Sequence, residues 1–331
     1  MSVTSVIIPA YNACQKLDRA LQSVLSNDSV LEVIVVDDCS TDSTSDVVSA
    51  WTMRTPRVRL VRQPANGGAG AARTAGLQAS RGRYLYFLDA DDLLLPGAID
   101  TATEAIAQTG ADVVAFRYGL VEDAMSPVHP MQPIDTNIWS ALCGASPLRV
   151  LGLDEGGRIL TTVNYPWNKI IDAAHYKANG LYFSNTRVHN DVYAHWHIYL
   201  NARRIGLLNR HLINHVGAPG NAQLSNNFTR QRFDIFQALD EVEALFAARP
   251  DVRARHYVWF LAFKLDILNW ISWNLQPELH PEFIRRIEQN LAGYGDQDYL
   301  AAYLQDKQTA VLSLYLRHNA GSVLAPPRQA A

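Results

Sequence analysis

The chain has 331 residues, enough for one large domain or two smaller ones with an ample core. Hydrophobic residues make up 48% of it and charged residues 18%, as is ordinary for a soluble globular protein. Its formal net charge of -3 argues against a nucleic-acid scaffold, so we expect no nucleic-acid partner.

The first part of the chain alternates strand and helix patterns. Runs of β-branched or apolar residues predict buried strands at Val3–Pro9, Glu32–Val36, Val58–Val61, Tyr84–Leu88 and Val113–Tyr118. Between them, apolar spacing and capping residues predict helices over Leu17–Leu25, after the Ser40–Ser43 cap, over Gly67–Ala79 and from Pro96. Regular alternation of this kind predicts an α/β fold with a doubly wound, mostly parallel sheet.

The remainder is less regular and then helical. Residues 122–158 have weak periodicity and predict loops and short helices over the sheet. A helix is predicted over Val192–Ala202. Beyond Phe233 the chain becomes helical, with prolines separating successive helices at Pro250, Pro277 and Pro281. The tail around Pro326 and Pro327 is predicted to be disordered.

One helical run comes nearest to a membrane span. Tyr257–Leu275 is rich in aromatic residues, but Lys264 and Asp266 interrupt it. It therefore predicts a largely buried helix, with an interfacial surface on a membrane or partner subunit as the alternative. The amino terminus has no basic segment followed by an apolar stretch, so no signal peptide is expected. The three cysteines lack metal-ligand spacing, which favours a reducing cytoplasm.

Three carboxylates follow the fourth predicted strand, in the sequence Asp89-Ala90-Asp91-Asp92. Ionised groups this close repel one another and are costly to desolvate, and a divalent cation removes that cost. Oxygen ligands suit Mg²⁺ or Mn²⁺, and open α/β sheets bind ligands at the carboxyl ends of their strands. The pattern alone leaves open a solvated acidic turn that caps the next helix.

Polar residues also follow the first two strands, as Pro9-Ala10-Tyr11-Asn12 and Asp37-Asp38. Tyr11 offers a face on which a nucleobase can stack, and Asp38 offers an acceptor for a base N–H. Taken singly, Tyr11 also reads as a packing aromatic, and the aspartates as a helix cap contributing under about 1 kcal/mol each. The first strand is not followed by a glycine-rich turn, so a dinucleotide-binding dehydrogenase is rejected.

Together these segments resemble the inverting glycosyltransferase family 2, which has the GT-A fold. The match is carried by Ser5–Asn12 (SVIIPAYN), Val33–Asp42 (VIVVDDCSTD), Asn66–Arg73 (NGGAGAAR) and Tyr86–Asp92 (YFLDADD). A weaker similarity continues through Pro166–Lys169 (PWNK) and His189–Asp191 (HND). The region beyond about Phe233 matches nothing comparable.

The resemblance implies a nucleotide-sugar site. Its donor-binding residues would be Pro9, Tyr11, Asn12, Asp38, Arg73, Asp89 and Ala90. The nucleobase is usually uracil in this family. Asp91 would ligate Mn²⁺ or Mg²⁺ bridging both phosphates, with Asp92 as the second metal residue supporting the site. Cys39 departs from the family, which usually has glycine there, so its thiol needs a permissive backbone angle.

The resemblance also implies a catalytic base at Asp191 and an acceptor side that includes Trp167, Asn168 and Asn190. Asn190 stands where the family usually has glutamate, and losing that charge should lower the pKa of Asp191 somewhat. Asp191 also fits as an N-cap of the following helix, and both roles are compatible. Trp167 could stack on a sugar face or be a core residue.

The implied protein is a metal-dependent inverting glycosyltransferase that moves a sugar from a UDP donor to a glycan or glycolipid acceptor. Capsule, exopolysaccharide or another cell-surface glycan would be the product, made in the cytoplasm. The alternatives are a non-catalytic nucleotide-sugar-binding scaffold and a nucleotidyltransferase. A nucleotidyltransferase would need a basic loop after the first strand.

The implied organisation is a donor half (1–120), an acceptor half (121–228) and a C-terminal helical region (229–331). The helices would carry any peripheral membrane or homo-oligomer contact. The segment at 217–220 could close over the donor or simply connect two elements.

Overall fold

A computed structural model of the protein describes residues 2–123, 125–217 and 228–323. The chain forms two compact units: a sheet unit of residues 1–156 and 162–221, and a helical unit of residues 157–161 and 222–331. The predicted boundary at residue 120 inside the sheet unit stays a prediction. Residues 218–220 of the predicted closing loop and the Pro326-Pro327 tail lie outside the described residues.

The sheet unit is built on one mixed sheet. Its described strands are β1 (Thr4–Ala10), β2 (Val30–Asp37), β3 (Val58–Arg62), β4 (Tyr84–Phe87), β5 (Leu93–Leu94), β6 (Val113–Val121), β7 (Leu148–Leu151), β8 (Lys169–Asp172) and β9 (Ile205–Val216). They lie in the order β3-β2-β1-β4-β8-β6-β9-β5, with β7 on β9. β1 to β4 run parallel, as do β6 and β9, while β5, β7 and β8 run antiparallel to their neighbours. The predicted mostly parallel sheet is confirmed.

Helices connect these strands. They are α1 (Leu17–Leu25), α2 (Thr44–Arg54), α3 (Gly68–Ala79), α4 (Ala98–Thr109), α5 (Pro133–Cys143), α6 (Leu153–Gly156), α7 (Ala173–Ala178) and α8 (Val192–Asn201). The predicted helices of the first hundred residues are confirmed to within a few residues. α3 packs closely on the sheet, because a Cβ at Gly76 would lie 2.3 Å from Ile7 Cγ2. Residues 122–158 contain α5 and β7, so this region is more regular than predicted.

The helical unit contains α9 (Asp234–Ala247), α10 (Pro250–Asn274), α11 (His280–Ala292), α12 (Asp296–Gln305) and α13 (Lys307–Val323). In α10, the ammonium of Lys264 is fully buried and donates to Glu243 Oε1 at 2.7 Å. This ion pair explains how a charged residue fits inside the predicted largely buried helix. Within the described part of the chain, no helix is long and apolar enough to cross a membrane.

Candidate active site

The carboxyl ends of β1, β2, β4 and β6 lie at one edge of the sheet, because these strands point the same way. The segments that follow β1 and β2 are tied together there. The Asp38 N–H donates to Ala10 O at 2.8 Å, and the Asn12 N–H donates to Ser40 Oγ at 3.0 Å. The edge brings together the polar segments that the sequence placed at three strand ends.

The Asp38 carboxylate faces the start of α3. Its Oδ1 accepts from the Gly67 N–H at 2.8 Å and from Gln63 Nε2 at 3.1 Å, and its Oδ2 accepts from the Gly68 N–H at 2.7 Å. A carboxylate has about four acceptor positions, and described residues fill three of those of Asp38. The side chain is buried, which fixes its orientation. Nearby, Tyr11 is 51% exposed and keeps a ring face open for stacking, while Pro9 and Ala90 are half-buried.

Asn12 supports this edge from within. Its Oδ1 accepts from the Thr41 N–H at 2.8 Å, so the side chain predicted to bind the donor holds the loop after β2. Asn12 has a φ of 49° and Cys39 a φ of 62°, both in the left-handed region. The permissive backbone angle predicted for position 39 is confirmed. A left-handed conformation is costly for residues with a Cβ, which explains why glycine suits this position.

Cys39→Gly is expected to raise the free energy of unfolding by about 1 kcal/mol, because glycine removes the left-handed strain. Urea unfolding would measure the change. Cys39→Ala is the matched control, since it removes the thiol but keeps the Cβ, and it should give no comparable gain. Equal stabilisation by both variants would mean that the thiol, and not the backbone, carries the cost.

The three carboxylates after β4 have different surroundings. Asp89 Oδ1 accepts from Arg73 Nη2 at 2.6 Å. Asp91 is 23% exposed and forms an ion pair of 3.1 Å with Lys16, which is itself half exposed. Solvent screens such a pair, so its contribution to stability is about 0–1 kcal/mol. Asp91 is therefore an accessible carboxylate that a cation can reach.

Asp92 has no accessible surface. Its Oδ1 accepts from His215 Nδ1 at 2.8 Å and from the Val216 N–H at 2.9 Å, while its Oδ2 has no hydrogen-bond partner among the residues that the structure describes. Burial raises the pKa of Asp92 to about 6, against the opposing effect of His215. Asp92 was predicted, with Asp91, to be a metal residue. In the structure, its hydrogen bonds to His215 and Val216 anchor the end of β9, so Asp92 supports the site as a fully buried side chain.

The carboxylates of Asp89 and Asp91 are oxygen ligands of the kind that a divalent cation needs. Mg²⁺ is usually held by one or two carboxylates together with substrate phosphates, and the accessible Asp91 beside Asp89 fits that arrangement. In residues 2–123, 125–217 and 228–323, no group of three or more His, Cys, Asp and Glu side chains is placed to hold a metal ion.

Asp191 lies at the N-cap position of α8, but its side chain makes no capping hydrogen bond. Its Oδ1 instead accepts from Asn164 Nδ2 at 2.5 Å. Burial raises the pKa of Asp191, while the Arg73 charge and the Asn164 hydrogen bond lower it. The sequence prediction for the pKa of Asp191 took account only of the missing glutamate at position 190. In the structure, burial has the largest effect on the pKa of this carboxyl group.

Arg73 connects the two sides of the site. Its Nη1 donates to Asn190 Oδ1 at 2.7 Å and its Nη2 to Asp89 Oδ1, while the guanidinium lies 5.5 Å from the Phe183 ring centre. The side chain is buried, and its Nε has no hydrogen-bond partner within the described ranges of the chain. Arg73, predicted to face the donor, thus joins a carboxylate after β4 to the residue preceding Asp191.

A glycine lets these two sides approach. A Cβ at Gly70 of α3 would lie 2.2 Å from the carbonyl oxygen of Ser184 and 2.9 Å from Asn190 Cβ. Only a residue without a side chain leaves room for the segment before α8 to lie against α3. Gly70 therefore sets the distance between Arg73 and Asn190.

The predicted acceptor residues Trp167 and Asn168 are buried. Trp167 is 1% exposed, and its ring stacks with Tyr165 at 4.4 Å and with His215 at 4.8 Å between ring centres. Because the side chain is almost fully buried, Trp167 is the core residue that the sequence left open as the alternative. Asn190 makes its contact with Arg73 instead of facing a free surface.

The sequence pointed to no role for two residues of this site, Asn164 and His215. Lys169 lies within the matched motif Pro166–Lys169, but no local pattern marked it as buried near Asp191. Asn164 and His215 had no local signal, because their partners lie 27 and 123 residues away along the chain.

Comparison with known proteins agrees with this geometry. Residues 5–163 match the sequence model of glycosyl transferase family 2. This segment, just under half of the chain, is similar to glycosyl transferase family 2. It is 41% identical over 116 residues to the succinoglycan biosynthesis protein ExoO of Rhizobium meliloti, a match covering 35% of this chain and 33% of ExoO.

Another relative is the putative teichuronic acid biosynthesis glycosyltransferase TuaG of Bacillus subtilis. It is 41% identical over 127 residues, which cover 38% of this chain and 50% of TuaG. The chain thus spans a third to a half of the length of these curated relatives.

The fold also resembles solved structures. The crystal structure of S. aureus TarS residues 1–349 in complex with UDP-GlcNAc superposes with a TM-score of 0.75 at 22% identity. The match covers 95% of this chain and 87% of that one. The predicted GT-A fold is confirmed by this likeness.

Proposed function

We propose that the protein is an inverting glycosyltransferase that moves a sugar from a nucleotide donor, UDP-linked, to a hydroxyl group of a glycan acceptor. The observation that carries the proposal is the placement of Arg73 between Asp89, on the proposed donor side, and Asn190, next to Asp191. One buried side chain thereby links the carboxylates that would bind the donor to the carboxylate that would activate the acceptor.

The donor would be held at the strand ends. The Tyr11 ring would stack on the nucleobase, and the remaining acceptor position of Asp38 would take its N–H. Asp89 would accept from the ribose or the sugar. Asp91 would hold Mn²⁺ or Mg²⁺, which when bound supplies positive charge against the leaving diphosphate.

Asp191 would act as the base. Its Oδ1 accepts from Asn164, and its other oxygen, Oδ2, would receive the acceptor proton. The freed acceptor oxygen would form its bond to the anomeric carbon as the bond to the diphosphate breaks on the opposite side. A single displacement of this kind inverts the anomeric configuration.

The class of acceptor is supported by the relatives. ExoO and TuaG are named for the biosynthesis of succinoglycan and of teichuronic acid, so we propose a cell-surface polysaccharide or its precursor as acceptor. TarS, which has a similar fold, is crystallised with UDP-GlcNAc, which favours a UDP-sugar as donor. A membrane or subunit contact through the helical unit stays a prediction.

A donor screen tests the proposal against the scaffold alternative. The protein is incubated with UDP-glucose, UDP-galactose and UDP-GlcNAc, with manganese or with EDTA, in the presence and absence of polysaccharide acceptors. UDP release that requires manganese is expected for at least one donor. Donor binding without UDP release under any of these conditions would favour the non-catalytic scaffold.

A further inference from the structure

The segment that leads into β8 places two polar side chains around Asp191. Asn164 precedes the turn Pro166–Asn168, and Lys169 is the first residue of β8. β8 runs antiparallel to β4, so its beginning lies at the same edge of the sheet as the end of β4. This topology brings the segment to the proposed active site, although its residues are distant from Asp191 in sequence.

Asn164 determines which oxygen of Asp191 is available. The Asn164 amide donates to Oδ1 at 2.5 Å, so Oδ2 is the oxygen that Asn164 does not occupy. A carboxylate held through one oxygen has a fixed rotation, so its other oxygen points in one direction. An amide donor also stabilises the ionised form that a base needs.

Lys169 supplies a buried positive charge in the same place. Its side chain is 2% exposed, and its ammonium donates to the carbonyl oxygen of Tyr165. Burial lowers the pKa of Lys169 to about 7, while the negative charges of Asp191 and Asp135 raise it. The attraction is mutual, so the ammonium favours the ionised form of Asp191.

The other charged groups around Asp191 come from different elements. Arg73 of α3 favours the ionised form, and Asp89 after β4 opposes it. Both also belong to the donor side, so they cannot adjust the base without altering donor binding. Asn164 and Lys169 act on Asp191 from the segment that leads into β8, which contains none of the proposed donor-binding residues.

We propose that Asn164 is a positioning residue that orients the Asp191 carboxylate toward the acceptor hydroxyl, with Lys169 as its electrostatic partner. This inference rests on the proposed function, because it assigns a role relative to the proposed base. Neither residue need touch the substrate: Asn164 acts through a hydrogen bond to Asp191, and Lys169 through its charge.

The test compares variants by the pH dependence of UDP release with manganese, using UDP-glucose and UDP-GlcNAc in parallel. Asn164→Ala is expected to lower kcat about 10- to 100-fold, because a misplaced base loses its reacting geometry. The acid limb of its pH profile should move to higher pH, since a hydrogen bond that favours the ionised carboxylate is lost. Asn164→Asp should move it further, because a like charge is added.

Lys169 is tested by a pair of variants. Lys169→Met removes the charge and should move the acid limb upward, whereas Lys169→Arg keeps the charge and should restore most of the wild-type profile. The matched controls are Asn179→Ala and Lys177→Met, whose side chains donate to backbone carbonyls of His175 and Ser80. Both controls should keep the wild-type profile.

UDP affinity, measured by calorimetry, separates positioning from loss of structure. The inference predicts unchanged UDP affinity in Asn164→Ala together with the lower kcat and the shifted acid limb. It is overturned if kcat stays within about two-fold, if the acid limb does not move, or if UDP affinity falls in parallel with kcat. Wild-type UDP release that Asp191→Asn leaves intact would instead overturn the proposed function, whatever the Asn164 variants do.

Discussion

Asp191→Asn is expected to lower sugar transfer about 100- to 10,000-fold, the range that a general base contributes. Asparagine has nearly the same shape but cannot take a proton from the acceptor. Because the substitution leaves the hydrogen bonds from Arg73 to Asp89 and Asn190 in place, UDP binding should stay at the wild-type level. Transfer is measured as UDP release at saturating donor, and binding by calorimetry with UDP and manganese.

The pH dependence of the wild type gives a second readout of the same residue. A base works only when ionised, and burial raises the pKa of Asp191 above its ordinary value. Activity should therefore fall with decreasing pH through that raised pKa, at a higher pH than an exposed aspartate would give. The exposed Asp46 provides the control, since Asp46→Asn should leave both rate and pH profile unchanged. Near-normal turnover in Asp191→Asn would remove this residue as the base.

Asp91→Ala is expected to abolish the manganese-dependent part of UDP binding. Asp91 is the accessible carboxylate of the three after β4 that neither Arg73 nor His215 occupies. Without it, a cation would lose its carboxylate partner in the site and could not be shared with the diphosphate. The UDP dissociation constant measured with manganese should rise to the value measured with EDTA.

The reference for this measurement is the wild type in both conditions. Asp46→Ala controls for the loss of one surface carboxylate and should retain the manganese effect. Thermal unfolding would establish that the Asp91→Ala protein is folded. A manganese-dependent UDP affinity equal to that of the wild type would place the cation elsewhere or exclude it.

The elements predicted best are those with a strong local pattern. The β-branched runs at β1 and β2 are buried on both faces, so their sequence carries the strand signal by itself. β9 was not predicted, because its centre contains Asn209, Arg210 and His211 and lacks a continuous apolar run. Its place in the sheet comes from pairing with β6, which is distant in sequence and cannot be predicted from a short stretch of residues.

The parts of the site that could be predicted are those whose residues are neighbours in sequence and follow the same strand. The cluster at 89–92 and the Asp37-Asp38 pair were placed correctly at one edge for this reason. The residue type could not separate the roles within the cluster, since burial alone distinguishes Asp92 from Asp91. Likewise, the same tryptophan can face a sugar or a core, and packing against Tyr165 and His215 decided the role of Trp167.

The guanidinium of Arg73 is shared between Asp89 and Asn190, which do not need to touch to influence each other. Substitutions at these two positions should consequently be non-additive in a double-mutant cycle. Under the proposed function, donor preference and acceptor preference would then be coupled through Arg73, and an engineered change of specificity on one side would call for compensation on the other.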